Sequence, residues 1–217
     1  GGNSLDTSAA DGETLILGER PQGLSPGGGD SPQGLSHQTR SPTGASTRSS
    51  PAVSKGGHTN AATVLLETQY DICELFSRPR MCVQAPAHNL KGGWSVDKDF
   101  QDPVSQRAYD LRNRKDQNEV RKMVKRDRPL VLTVSPPCTF FSIANQSPLN
   151  PRDLEEAKEL MRFAVEMCNL QLKAGRHFIL EQPLTSRAWS LDPVMKLMIT
   201  EGVIHTDFHQ CMYGLTS

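Results

Sequence analysis

The sequence has no net charge, because 24 Lys and Arg are balanced by 24 Asp and Glu over 217 residues. That excludes a polybasic, histone-like protein held to nucleic acid by bulk charge, but leaves room for a local basic face. No apolar run approaches the roughly 20 residues a membrane helix needs, so no membrane-spanning role is expected. Cysteine is sparse and odd in number. Cys73, Cys82, Cys138, Cys168 and Cys211 include no Cys-x-x-Cys pair. A disulfide scaffold or zinc ribbon is therefore not expected. A reducing, intracellular setting, nucleus or cytoplasm rather than the exterior, follows from the same count. Hydrophobic residues make up 36% and aromatics 6%, below the usual share for a compact domain. The chain begins with Gly rather than Met and shows no charged-then-apolar leader. It reads as a piece of something longer.

Composition changes sharply near residue 60. Residues 1–60 contain no Phe, Tyr, Trp or Cys, and Gly, Pro and Ser fill 27 of the 60 positions. Such a segment buries too little apolar surface to offset its ordering entropy. Residues 1–60 are thus expected to be a disordered Gly/Pro/Ser-rich linker. Within them PQGLS occurs at 21–25 and again at 32–36, and Ser-Pro steps fall at Ser25, Ser31, Ser41 and Ser50. Two short copies do not make a repeat architecture. The apolar island LILG at 15–18 reads as a docking motif or as nothing.

Residues 61–217 are long enough for one core. Strands are expected at 71–76, 93–97, 130–134, 177–180 and 203–208 from short apolar runs. Pro129 announces the third of these, and Pro136-Pro137 stops it. Residues 103–126 suit one or two amphipathic helices. Leu154, Ala157, Leu160, Met161, Ala164, Val165, Cys168 and Leu172 keep a 3.6-residue period across 151–173, and Gly175 stands where a helix C-terminus needs it. Residues 186–200 read as helical with a restart at Pro193. Alternation of this kind predicts an α/β parallel sheet with crossover helices. Ligands of such sheets sit beyond the carboxyl ends of the strands.

That rule selects Glu74–Ser77, Asp97, Ser135–Ser142 and Glu181–Pro183. An acid at the end of the second strand, here Asp97, accepts hydrogen bonds from ribose hydroxyls in nucleoside-binding sheets. A solvated turn acid is the plainer alternative. Between the first two strands stands Arg78-Pro79-Arg80-Met81 where a glycine loop would be needed. The string SPPCTFFS at 135–142 is the sharpest signal. Two prolines hold Cys138 at the end of a buried strand, either as a nucleophile or as a structural thiol on a tight turn. Glu181 ends a hydrophobic strand, where partial desolvation suits a carboxyl for proton donation to a ring nitrogen, or it caps the following helix.

Together these residues resemble the cytosine-C5 DNA methyltransferases, in the order of that family's elements over about residues 70–214. The resemblance implies an α/β, Rossmann-like parallel-sheet domain spanning 61–217, preceded by the disordered segment. It implies S-adenosylmethionine as methyl donor, with Glu74, Phe76, Asp97 and Pro136 at the donor site. Cys138 would attack the sixth carbon of a flipped cytosine, and Glu181 would steady the ring nitrogen. Nucleic acid, DNA rather than RNA, is the implied partner. The strings ELFSRPRM, GWSVD, SPPCTFFS, HFILEQP, SRAW and QCMYGLTS look most like a divergent methyltransferase-like domain of retroelement-type polyproteins. The same features therefore allow a non-catalytic nucleic-acid-binding or interaction module within such a polyprotein.

The chain departs from the family pattern in several places. It has no glycine-rich donor loop, Thr139 follows Cys138, and Glu181 is followed by Gln-Pro. It stops at Ser217 before any target-recognition region, so the domain is expected to be truncated on that side. An aromatic in place of Cys138 would instead suggest an amino-methyltransferase. Residues 111–128 carry eight Lys and Arg against three Asp and Glu, either a phosphate-contacting face or a solvated helix. His205, Asp207, His209 and Cys211 share one face of the last strand, zinc-ligand chemistry in type but not an expected metal site. Trp94 and Trp189 read as packing residues that are also able to stack a base.

Overall fold

A computed structural model describes residues 12–18, 68–142 and 150–209, with only the backbone of 12–15 and of His209. The Ser-Pro sites and Cys211 lie outside the described residues. Among these residues the chain is α/β, with a six-stranded mixed sheet and four α-helices. In chain order they are β1 (Gly12–Gly18), β2 (Ile72–Leu75), α1 (Met81–Gln84), β3 (Gly92–Val96), α2 (Arg114–Asp127), β4 (Val131–Val134), α3 (Pro151–Lys173), β5 (His177–Pro183), α4 (Asp192–Met198) and β6 (Val203–His209). The strand order across the sheet is β3-β2-β4-β5-β1-β6. This arrangement is compatible with a Rossmann-like fold. No described helix is long and apolar enough to cross a membrane.

Two expectations need correction. The sheet is not wholly parallel: β3, β2, β4 and β5 are parallel, but β1 runs antiparallel to both its neighbours. Nor is all of 1–60 unfolded linker, because LILG belongs to β1. Its Ile16 is fully buried. Leu15 pairs with Glu181 on β5 and with Thr206 on β6. The physical reason is local. A short strand saturated on both edges by backbone hydrogen bonds needs little apolar sequence of its own, and averaging over a polar leader hides it. Helix alternation correctly implied that β5 and β6 run the same way. It implied adjacency too, which the inserted strand prevents.

The helices follow their caps. The Asn113 side chain accepts from Lys115 N–H at 2.8 Å and starts α2. Upstream, Gln106 sits at φ 58°, so of the one or two helices expected over 103–126 only α2 forms, and 103–113 is a loop. Asp102, fully buried, holds that loop by accepting from Ser95 N–H (2.9 Å) and Ser105 N–H (2.6 Å). Asn150 caps α3 with Pro151 in its first turn. Gly175, at φ 69°, closes α3: its N–H donates to Leu172 and Arg176 N–H donates to Gln171. A residue with Cβ would be strained at that angle.

Strands β2 and β4 are almost wholly buried, as expected for parallel strands covered on both faces. Trp94 of β3 is fully buried, and its Nε1–H donates to Asp127 Oδ2 at 3.1 Å, joining the strand to the end of α2. Its place is structural.

A cleft across the carboxyl ends of four strands

The sheet changes winding direction beside β2: β3 lies on one side of it, and β4 and then β5 on the other. Leu75, Val96, Val134 and Leu180 stand level across the four strands and are fully buried. The next residue of each strand therefore emerges at the same level. These are Phe76, Asp97, Ser135 and Glu181, and all four line one cleft of about 630 Å³. The structure thus unites Phe76, Asp97 and Glu181, three of the six residues selected by sequence. Ser77, Arg78, Arg80 and Phe100 complete the wall. A second cleft of about 490 Å³ shares Phe76 and Asp97 with the first. Pro137 and Thr139, the neighbours of Cys138, line it.

Phe76 turns the chain out of β2 at φ 58°, a conformation uncommon for a bulky residue and concentrated at functional sites. Its ring meets Phe163 of α3 edge-on, with centroids 6.4 Å apart. Asp97 uses Oδ1 to accept from Asp99 N–H at 2.7 Å. Its Oδ2 has no hydrogen-bond donor among the described residues. In the second cleft the Arg112 guanidinium hydrogen-bonds Asp110 and holds its carboxyl below the usual range.

Glu74 is placed differently from the donor-site role drawn from resemblance. It is 1% exposed and lies beneath the cleft. Its Oε2 accepts from Arg80 N–H (3.0 Å) and Cys82 N–H (2.8 Å), and its Oε1 from Ser77 Oγ–H (3.2 Å). A buried carboxylate with three donors is satisfied. It folds the Ser77–Cys82 loop over the end of β2, and it occupies two of the loop's amides. Glu74→Gln is expected to cost about 2 kcal/mol, since one amide N–H of the loop then meets an NH₂ group. Chemical denaturation at neutral pH measures this, and an unchanged midpoint would show the loop is held otherwise.

Pro136 is also buried and lines neither cleft. Its carbonyl accepts from Gln182 Nε2–H, and the other end of that amide accepts from Ser186 Oγ–H at 3.2 Å. Gln182 thereby ties the loop after β4 to the chain after β5. Sequence reading saw this residue only as a departure from pattern. Burial of an amide one residue before the end of β5, with two loops to bridge, is visible only in three dimensions. Cys138 follows on a tight turn, its carbonyl accepting from Phe141 N–H at 2.8 Å. Its side chain lines neither cleft.

Among the four described cysteines, Cys138 alone is not buried. Burial raises the thiols of Cys73, Cys82 and Cys168, for Cys82 with help from the Glu74 carboxylate beside it. Brief alkylation of the native chain at neutral pH should therefore modify Cys138 at least tenfold faster than these three. Peptide mass mapping reads the result, and equal labelling of Cys73 would contradict it.

No family model, curated protein or solved structure matches the chain. Among the described residues no group of His, Cys, Asp and Glu is arranged to hold a metal ion. Four of the eight basic residues of 111–128 lie beside acids. Arg112 pairs with Asp110, Arg121 with Glu166 and Arg126 with Asp127, while Lys122 lies 3.6 Å from Glu119. Arg114, Lys115 and Lys125 are exposed and have no acidic partner among the described residues.

Proposed function

We propose that the cleft is the methyl-donor site of a cytosine-C5 methyltransferase-like domain acting on nucleic acid. One observation carries the reading: the ends of β2, β3 and β4 and the level position of β5, at the point where the sheet changes winding direction, open into a single cleft containing Asp97, Phe76 and Glu181. In this reading Asp97 Oδ2 accepts from a ribose hydroxyl and Phe76 packs against the nucleoside. S-adenosylmethionine would supply the methyl group. Glu181 holds the ring nitrogen of the target base from β5, and Cys138, on its tight turn, approaches the sixth carbon. DNA is the favoured partner.

The test is calorimetric titration of S-adenosylmethionine into the full chain and into Asp97→Ala, both shown folded by circular dichroism. Saturable binding should weaken roughly 10- to 100-fold in the variant, the worth of a hydrogen bond to a charged group. Methyl transfer to cytosine should then be lost in Cys138→Ser. A folded wild type that binds no donor overturns the reading.

A second reading is favoured by the fit of Glu74 and by the absence of Cys138 from the wall that holds Glu181. It is a non-catalytic nucleic-acid-binding or interaction module of a retroelement-type polyprotein. It predicts no methyl transfer, and salt-dependent DNA association weakened by neutralising Arg114, Lys115 and Lys125.

A further inference from the structure

We propose that the cleft takes a nucleoside ligand with an anionic group, and that the guanidiniums of Arg78 and Arg80 hold that group. This deepens the donor-site reading and rests on it for the nucleoside.

Loops that cradle anions usually offer backbone N–H groups. Here the amides of Arg80 and Cys82 donate to Glu74, so the loop presents side chains in their place. Arg78 and Arg80 both line the cleft. Neither has an acidic partner among the described residues, whereas Arg107, Arg112, Arg121 and Arg126 each pair with a carboxylate. The Arg78 guanidinium lies 5.8 Å from the centre of the Phe100 ring, which leaves its donor edge available.

The backbone that carries these groups is anchored. Ser77 Oγ–H also lies 2.8 Å from the Arg78 carbonyl, Glu74 anchors Arg80 N–H, and Pro79 between them has a fixed φ. The carboxylates of Asp97 and Glu181 line the same cleft. The cavity thus carries groups of both signs. Hydroxyls suit its acidic wall, and a planar or tetrahedral oxyanion suits the two guanidinium forks. A carboxylate, as on the amino-acid end of a methyl donor, and a phosphate share this chemistry.

Three probes separate the sources: S-adenosylhomocysteine carries the carboxylate, 5′-methylthioadenosine lacks it, and adenosine monophosphate carries phosphate. Each is titrated into the full chain and into the double variant Arg78→Gln/Arg80→Gln. Both side chains are exposed, so the variant should keep the wild-type thermal midpoint. S-adenosylhomocysteine should lose at least tenfold in affinity in the variant, while 5′-methylthioadenosine changes less than twofold. Arginine-dependent binding of the monophosphate alone would keep the anion site and overturn the methyl-donor reading. Nucleoside binding indifferent to both arginines would overturn the anion site and leave the donor reading standing. If no probe binds a folded wild type, both fall.

Discussion

Deleting residues 1–18 is expected to destabilise the folded chain more than any single substitution described above. β1 fills the place between β5 and β6, and its removal strips hydrogen-bond partners from both. Among the described residues β6 has no other partner in the sheet. The fully buried Ile16 alone contributes about 2 kcal/mol of apolar burial. The backbone of β5 becomes an open edge, a template for pairing between chains. Against a total stability of order 5–15 kcal/mol for a domain, the truncated chain should unfold at markedly lower denaturant and aggregate on heating. Ile16→Ala in the full chain, at about 2–5 kcal/mol, gives the graded counterpart. An unchanged midpoint in both variants would mean that β1 does not support the sheet. A domain boundary drawn at residue 60 would remove this strand, so the full chain is the right material for every binding test.

Stability should also fall steeply on the alkaline side, through Cys73, Cys82 and Cys168. Burial raises all three thiols above their ordinary value. Between the unfolded value, about 8.5, and the raised folded value, the unfolded chain releases protons that the folded chain keeps. The stabilisation is complete below about pH 8.5 and declines as pH rises. One unit higher, each thiol costs about 1.4 kcal/mol, or about 4 kcal/mol for the three. Denaturation at pH 7, 8.5 and 9.5 with a non-thiol reductant measures the decline. Tyr70, also raised by burial, starts from a higher ordinary value and contributes little below pH 9.5. Cys168→Ala should flatten the slope by about a third whatever it does to the midpoint. A flat profile would show that the thiols ionise freely in the folded chain.

Much of the fold was legible because its signals are local. The 3.6-residue period of 151–173 and the stop at Gly175 define α3 without reference to anything distant. Pro129 and Pro136 bracket β4 for the same reason. Asp97 was legible as a strand-end acid, since a short apolar run ending in a carboxylate announces its own position; Glu181 was read the same way, but β5 continues past it to Pro183 because β1 pairs along it. The loop at 103–113 misled, because Val104, Ala108 and Leu111 keep an apolar spacing although only Leu111 is buried, and spacing says nothing of the backbone at Gln106.

By itself, the sequence determined the parallel elements, their helices and the row of chemistry-bearing residues at their ends. Only the tertiary structure decided which ends meet, because strand order depends on packing between residues far apart in the chain. It placed β3 and β4 on opposite sides of β2 and so opened the cleft there. It buried Glu74 beneath that cleft, where an identical sequence position at the surface would have been a ligand contact. It drew β1 into the sheet from a polar leader, since a strand's hydrogen bonds are satisfied by partners its own sequence does not name.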